Sequence, residues 1–144
     1  MALTLSVRYD TKTRVVSPPG PGDMPFVVID VTILTAGGNA YPLTGEPVEF
    51  GVAAALPALR LFQEVHAVVP TPVFNGLGAL VDGACIAGFE RTTTTGGLIR
   101  LFQATPLANG NLSQFPAAAY STVFTVADPT FTLLLAGRPL TDAS

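Results

Sequence analysis

Charge is what this sequence has least of. Asp, Glu, Lys and Arg make up 12% of its 144 residues, about half the share of an ordinary soluble domain. There is one lysine, Lys12, and six arginines. No window is rich in either, so nothing would neutralise a run of phosphates or dock electrostatically on anionic lipid. Cysteine is nearly absent: Cys85 stands alone, which excludes an intrachain disulfide. Histidine is equally scarce. His66 and its neighbour Glu64 are too few ligands for zinc, which takes three or four. Tryptophan is missing and tyrosine occurs three times, so the aromatic platforms usual at glycan-processing sites are thin. The longest uncharged stretch, between Arg100 and Asp128, is broken by Pro106, Gly110 and Pro116, and is not read as a membrane span. The first ten residues lack a basic start followed by an apolar block and are not read as a signal peptide.

What remains is apolar and punctuated. Hydrophobic residues reach 49%, with 14 glycines and 13 prolines. Leu3, Leu5, Val7 and Tyr9 alternate with Thr4, Ser6 and Arg8, the pattern of a strand with one wet face. Arg14 to Val16 could return as a hairpin. Ser17 to Gly22 cannot join a ladder, because proline lacks the N–H and glycine is entropically costly. Residues 1–24 therefore read as an arm or hairpin with a Pro-Gly connector, and residues 25–144 as the main domain. Within that domain, strands are expected at Phe26 to Leu34, Phe62 to Val69, Thr122 to Val126 and Phe131 to Ala136. A hairpin is expected from Ala84 to Arg91 and Leu98 to Gln103, with its strands continuing into Thr92 to Thr95. Gly51 to Leu59 suits a short helix limited by Pro57, and Thr105 to Pro116 a loop. Short strands without long amphipathic helices point to an all-β fold, a β-sandwich or jelly-roll-like domain with one short helix and an N-terminal arm or hairpin.

Residues with chemical potential are isolated. Glu64 and His66 share a strand face and read as polar surface. Cys85 has no adjacent cation to lower its pKa and reads as a small buried residue. A Cys85–His66 dyad would make a small hydrolase, but no local signature accompanies it. Glu46 with Glu49, or Asp82 with Glu90, could meet as a carboxylate pair. Gly76-x-Gly78 and Gly96-Gly97 lack the following lysine and helix of a phosphate cradle. No catalytic, metal-binding or cofactor-binding residue is expected.

The apolar loops carry more information. Pro106, Leu107, Phe115, Pro116 and Tyr120 fall in the uncharged region, and Phe74 in another long loop. Loops usually lie on the surface, so apolar loops tuck into their own core or are covered by a neighbour. Together with Leu3, Leu5, Val7 and Tyr9 of the first strand, these residues are the candidate protein interface. A monomer with a Thr- and Ala-rich surface is the alternative.

The order of segments resembles a family of tailed-bacteriophage head decoration, or capsid cement, proteins. The resemblance lies in Asp30-Val31-Thr32, then Tyr41-Pro42-Leu43-Thr44-Gly45-Glu46-Pro47-Val48, then an Ala-rich turn and a strand. It resumes at Ile86-Ala87-Gly88-Phe89-Glu90-Arg91-Thr92 and Leu98 to Phe102, and closes at Leu135-Ala136-Gly137. It spans roughly residues 26–137, with Thr44 in place of the first glycine of the usual pair. The resemblance implies a structural virion protein, often a homotrimer. Such a protein is made in the host cytoplasm and bound on the outer capsid surface, where it bridges major capsid protein subunits. It implies no catalytic residues, nucleic-acid partner or membrane. A receptor- or glycan-binding module of a virion fibre or tail is the alternative within the same architecture.

Overall fold

A computed structural model describes residues 3–10, 26–73, 85–104, 112–114, 117–120, 124 and 128–140. Strand β1 (Leu3–Asp10) runs antiparallel to β2 (Phe26–Ile33), with Leu3 opposite Ile33, Leu5 opposite Val31 and Val7 opposite Ile29. All of these side chains but Val7 are buried, and Val7 packs against them. The alternation read from the sequence is thus the cause of the sheet's core face. It ends at a bulge after Val7, which puts Tyr9 opposite Val28 instead of continuing the series. Of the expected alternatives, arm or hairpin, the arm is corrected: β1 is an edge strand of the chain's own first sheet, paired antiparallel with β2. Its Leu3 and Leu5 gain about 1.5–3 kcal/mol each by burial there. Arg14 to Val16, the connector and the boundary expected at residue 24 lie outside the described residues.

Two short pieces follow, β3 (Ala40–Tyr41) and β4 (Glu46–Glu49), joined by a turn in which the Gly45 N–H donates to the Pro42 carbonyl at 2.9 Å. Gly45 has φ +95°, a conformation that side chains with a Cβ rarely adopt. The helix expected over Gly51 to Leu59 contracts to a single 3₁₀ turn, Pro57–Leu59. Proline suits the first position of a helix but denies it a preceding turn. Strand β5 (Phe62–Pro70) then runs along the first sheet.

The best hairpin of the sequence forms as β6 (Ile86–Arg91) and β7 (Gly96–Ala104). Its strands do not continue through the threonines. Thr92 and Thr93 donate their N–H groups to the Gly96 carbonyl, closing a turn. Strand β8 (Leu112–Gln114) pairs with the far end of β7, so the expected loop from Thr105 to Pro116 contains a strand. Strand β9 (Ala118–Ala119) pairs with β3, and β10 (Thr130–Pro139) closes the first sheet. Of the strand expected at Thr122 to Val126, only Phe124 is described.

The first sheet has the order β1-β2-β10-β5 and the second β4-β7-β6, with β8 beside β7. Every pairing among the named strands is antiparallel. Ile29, Val31, Ile33, Leu133 and Leu135 from the first sheet meet Val48, Ile99 and Leu101 from the second in one core. The fold is an all-β sandwich, as the short alternating strands imply. At one end the Val65 N–H donates to the Thr94 carbonyl at 2.8 Å, tying β5 to the hairpin turn and so one sheet to the other.

Candidate functional site

The most polar place in the interior is built by the Tyr41 to Glu46 turn. Glu46 opens β4 on the face that also carries Val48, so its carboxyl points at the core and is only 7% exposed. A buried carboxyl without partners is costly. The partner is Tyr120, whose hydroxyl donates to Glu46 Oε1 at 2.7 Å. Pairing of β9 with β3 delivers Tyr120 to that position. The Tyr41 hydroxyl accepts from the Leu101 N–H at 3.1 Å and from Gln114 Nε2 at 2.9 Å. Gln114 Nε2 also donates to the Leu43 carbonyl at 2.7 Å. The two tyrosine rings meet edge-on at 6.1 Å, and Phe124 stacks on Tyr120 at 6.2 Å. Burial, followed by the hydrogen bond and charge of Glu46, raises the Tyr120 phenol above its ordinary range. It is held as a neutral donor. The cluster joins β3, β4, β7, β8 and β9, and its groups are spent on one another.

Cys85 is buried, and burial pushes its thiol up to about 12. At neutral pH it stays protonated and a poor nucleophile. His66 sits exposed on β5. The two residues occupy different environments, one in the core and one in solvent.

The carboxylates disperse as well. Glu46 and Glu49 face opposite sides of β4, because a separation of three reverses the face of a strand. Glu49 accepts from the Thr95 hydroxyl, and from the Gly51 N–H at 3.0 Å. Glu90 binds Arg100, and Glu64 lies 3.6 Å from Arg91. Asp82 is outside the described residues. Among the described residues, no three His, Cys, Asp or Glu side chains gather as a metal site would need.

A cleft of about 440 Å³ opens between β1, β4 and the hairpin turn. Leu5, Val48, Leu56 and Leu59 form much of its wall, with Glu49 and Thr93 at the polar side. Ligand sites usually combine such a wall with several convergent polar groups. Here the carboxylate is already engaged by Thr95 and Gly51, so the cleft offers shape more than chemistry.

The sequence-derived interface residues separate. Leu3 and Leu5 are buried in the chain's own core, Val7 packs against it, and Tyr120 is fully buried against Glu46. As interface candidates Leu3, Leu5 and Tyr120 are corrected: the domain's own sheets and cluster cover them, while Val7 is half-buried. Tyr9 lies after the bulge, opposite Val28. Phe74, Pro106, Leu107, Phe115 and Pro116 lie outside the described residues. Among the described residues, the large apolar side chains that reach solvent are others: Phe26, Leu43, Val52, Leu56, Val69 and Ile86.

No helix among the described residues is long and apolar enough to cross a membrane. No protein-family model, curated protein or solved structure matches this chain.

Proposed function

We propose that this chain is a structural virion protein that decorates a tailed-phage capsid on its outer surface and cements it by bridging major capsid protein subunits. One observation carries the reading. The groups with chemical potential, Glu46, Tyr41, Tyr120 and Cys85, are buried in the architecture, whereas large apolar side chains stand in solvent. A charge-poor exterior with exposed Leu, Val and Ile suits a surface that is covered in the working state, since interface cores are depleted in charge. The residues behind the resemblance support it in the same way. Tyr41, Gly45 and Glu46 shape the β3–β4 turn, and the polar groups of Tyr41 and Glu46 are engaged by Leu101, Gln114 and Tyr120, a role that suits a family defined by its fold. A protein that binds the assembled shell and not its free subunits stabilises the shell by mass action.

The test is retention on purified capsids carrying this protein. Apolar contacts resist salt, whereas screened ionic contacts weaken with it. Washing in roughly molar NaCl, where the screening length falls to about 3 Å, is expected to leave the protein bound. Stripping under those conditions, or failure of the chain to co-sediment with any phage-type shell, overturns the proposal.

A further inference from the structure

The outer face of the first sheet has an order that the buried face conceals. Directly opposed residues on antiparallel strands share a face, so the register arranges the outward side chains in rows across β5, β10 and β2. One row is Ala67, Ala136 and Phe26; the next is Val69, Leu134 and Val28. Beyond it come Thr71, Thr132 and Asp30. The two apolar rows are adjacent and unbroken by any polar residue. Val69 is 55% exposed and Phe26 38%; Ala67 is exposed, and Val28, Leu134 and Ala136 are half-buried. On one side the neighbouring charge is paired in place: Arg8 Nε donates to Asp30 Oδ2 at 2.8 Å, and its Nη2 lies against the other oxygen; on the other, exposed Arg138 lies opposite Glu64.

We infer that this face binds the same face of a second copy of the chain, forming a two-fold dimer of sheet on sheet. The pattern is self-complementary. A two-fold axis lying in the interface and running across the strands, between the two apolar rows, sets Val69–Leu134–Val28 of one copy over Ala67–Ala136–Phe26 of the other. Val69 and Leu134 then meet Ala67 and Ala136, and Val28 meets Phe26, in two symmetry-related sets, as side chains of packed sheet faces interdigitate. Each chain carries a net charge of −3. This face meets its copy with Asp30 already neutralised by Arg8.

Area sets the strength. The three strands that carry the rows, about 4.8 Å apart and each of about eight residues rising about 3.3 Å, give a face on the order of 400 Å². A standard interface buries about 800 Å² per partner. An interface of that size makes the dimer a weak and reversible one. A face pairing with itself is isologous and closes at two copies, whereas a trimer needs two different surfaces. The inference does not rest on the capsid reading: a dimer that ignores capsids would leave it standing and sink the other.

Sedimentation velocity of the full chain between roughly 1 and 100 µM, which brackets weak dissociation constants, decides the matter. A monomer–dimer equilibrium that persists in molar NaCl is expected. Val69→Lys puts a charge on the central apolar row and is expected to weaken dimerisation at least tenfold with an unchanged far-UV spectrum. Ala67→Lys, exposed on the adjacent row, serves as a second variant should Val69→Lys fail to fold. Val52→Lys, exposed on the loop after β4 and outside the two rows, is expected to dimerise like the parent. A monomer throughout the range, a trimer, or undiminished dimerisation of a folded Val69→Lys or Ala67→Lys chain overturns the inference.

Discussion

Glu46 shows how one side chain can face a hydrocarbon core when a distant residue supplies its donor. The Tyr120 hydroxyl is 74 positions away in sequence, and it exchanges a costly buried carboxyl for a charge-assisted hydrogen bond. Tyr120→Phe keeps the ring and its stack on Phe124 but removes the donor. It is expected to lower unfolding free energy by about 2 kcal/mol, the usual loss for a hydrogen bond to a charged group. Glu46→Gln retains an acceptor for the same hydroxyl and is expected to cost less. Chemical denaturation of both variants checks the order. Asp128 makes a smaller clip at the entry to β10, accepting from the Thr35 N–H at 3.0 Å and from its hydroxyl at 2.7 Å. These bonds favour the ionised carboxylate and hold its pKa below the ordinary 3.8. A lowered carboxyl pKa contributes stability that is complete above the unfolded value and lost as pH falls through the folded one. Melting temperatures recorded from neutral pH downwards are therefore expected to fall below about pH 4, and Asp128→Asn to flatten part of that decline.

At the scale of elements, the β6–β7 hairpin depends on a residue with no side chain. A Cβ at Gly97 would collide with the Glu90 carbonyl oxygen, and it would come within 2.8 Å of the Phe89 ring. The obstruction is backbone of the paired strand and cannot rotate away. Gly97→Ala is expected to cost about 2–4 kcal/mol, in the upper range of single substitutions, read as a shift of the denaturation midpoint. By contrast, an alanine at Gly38 meets nothing within 4 Å and strains only the positive φ. The same hairpin was legible in the sequence, because two strand-like runs flank a polar, Gly-ended link. So was β2, whose Ile29, Val31 and Ile33 alternate with Asp30 and Thr32. The short strands β3, β8 and β9 were not legible. Two or three residues carry no periodicity, and they exist only through partners far along the chain. The bulge in β1 was equally hidden, since an extra residue leaves the pattern of Leu3, Leu5, Val7 and Tyr9 intact on paper while changing what Tyr9 opposes.

For the whole molecule, low charge raised the expectation of a covered surface, and Leu43, Val52 and Val69 stand in solvent. Which residues form the surface was harder to read. Leu3, Leu5 and Tyr120 look like contact residues in a charge-poor chain, yet each serves the interior. The outer face of the first sheet had a signal of its own. Val27-Val28 and Leu133-Leu134-Leu135-Ala136 are apolar on consecutive positions, so both faces of β2 and β10 carry hydrocarbon. A strand with one wet face should alternate. Reading only the buried half of those runs leaves the second face unnoticed.

The place of β10 in the first sheet also governs when the molecule can come into being. It is the last of the described strands in sequence, yet it lies between β2 and β5 and pairs with both. During synthesis, β1 and β2 emerge as a hairpin and β5 follows, but they remain two separate halves until Thr130–Pro139 has left the ribosome. Until then β2 and β5 each offer an open edge and a bare apolar face, the features that invite mispairing between nascent chains. Closing the sheet requires contacts between residues about a hundred positions apart, as between Thr132 and Asp30, and such non-local pairing makes folding slow, on the order of milliseconds to seconds. The final strand thus acts as a latch, and the interval before it arrives is when the chain most needs a chaperone.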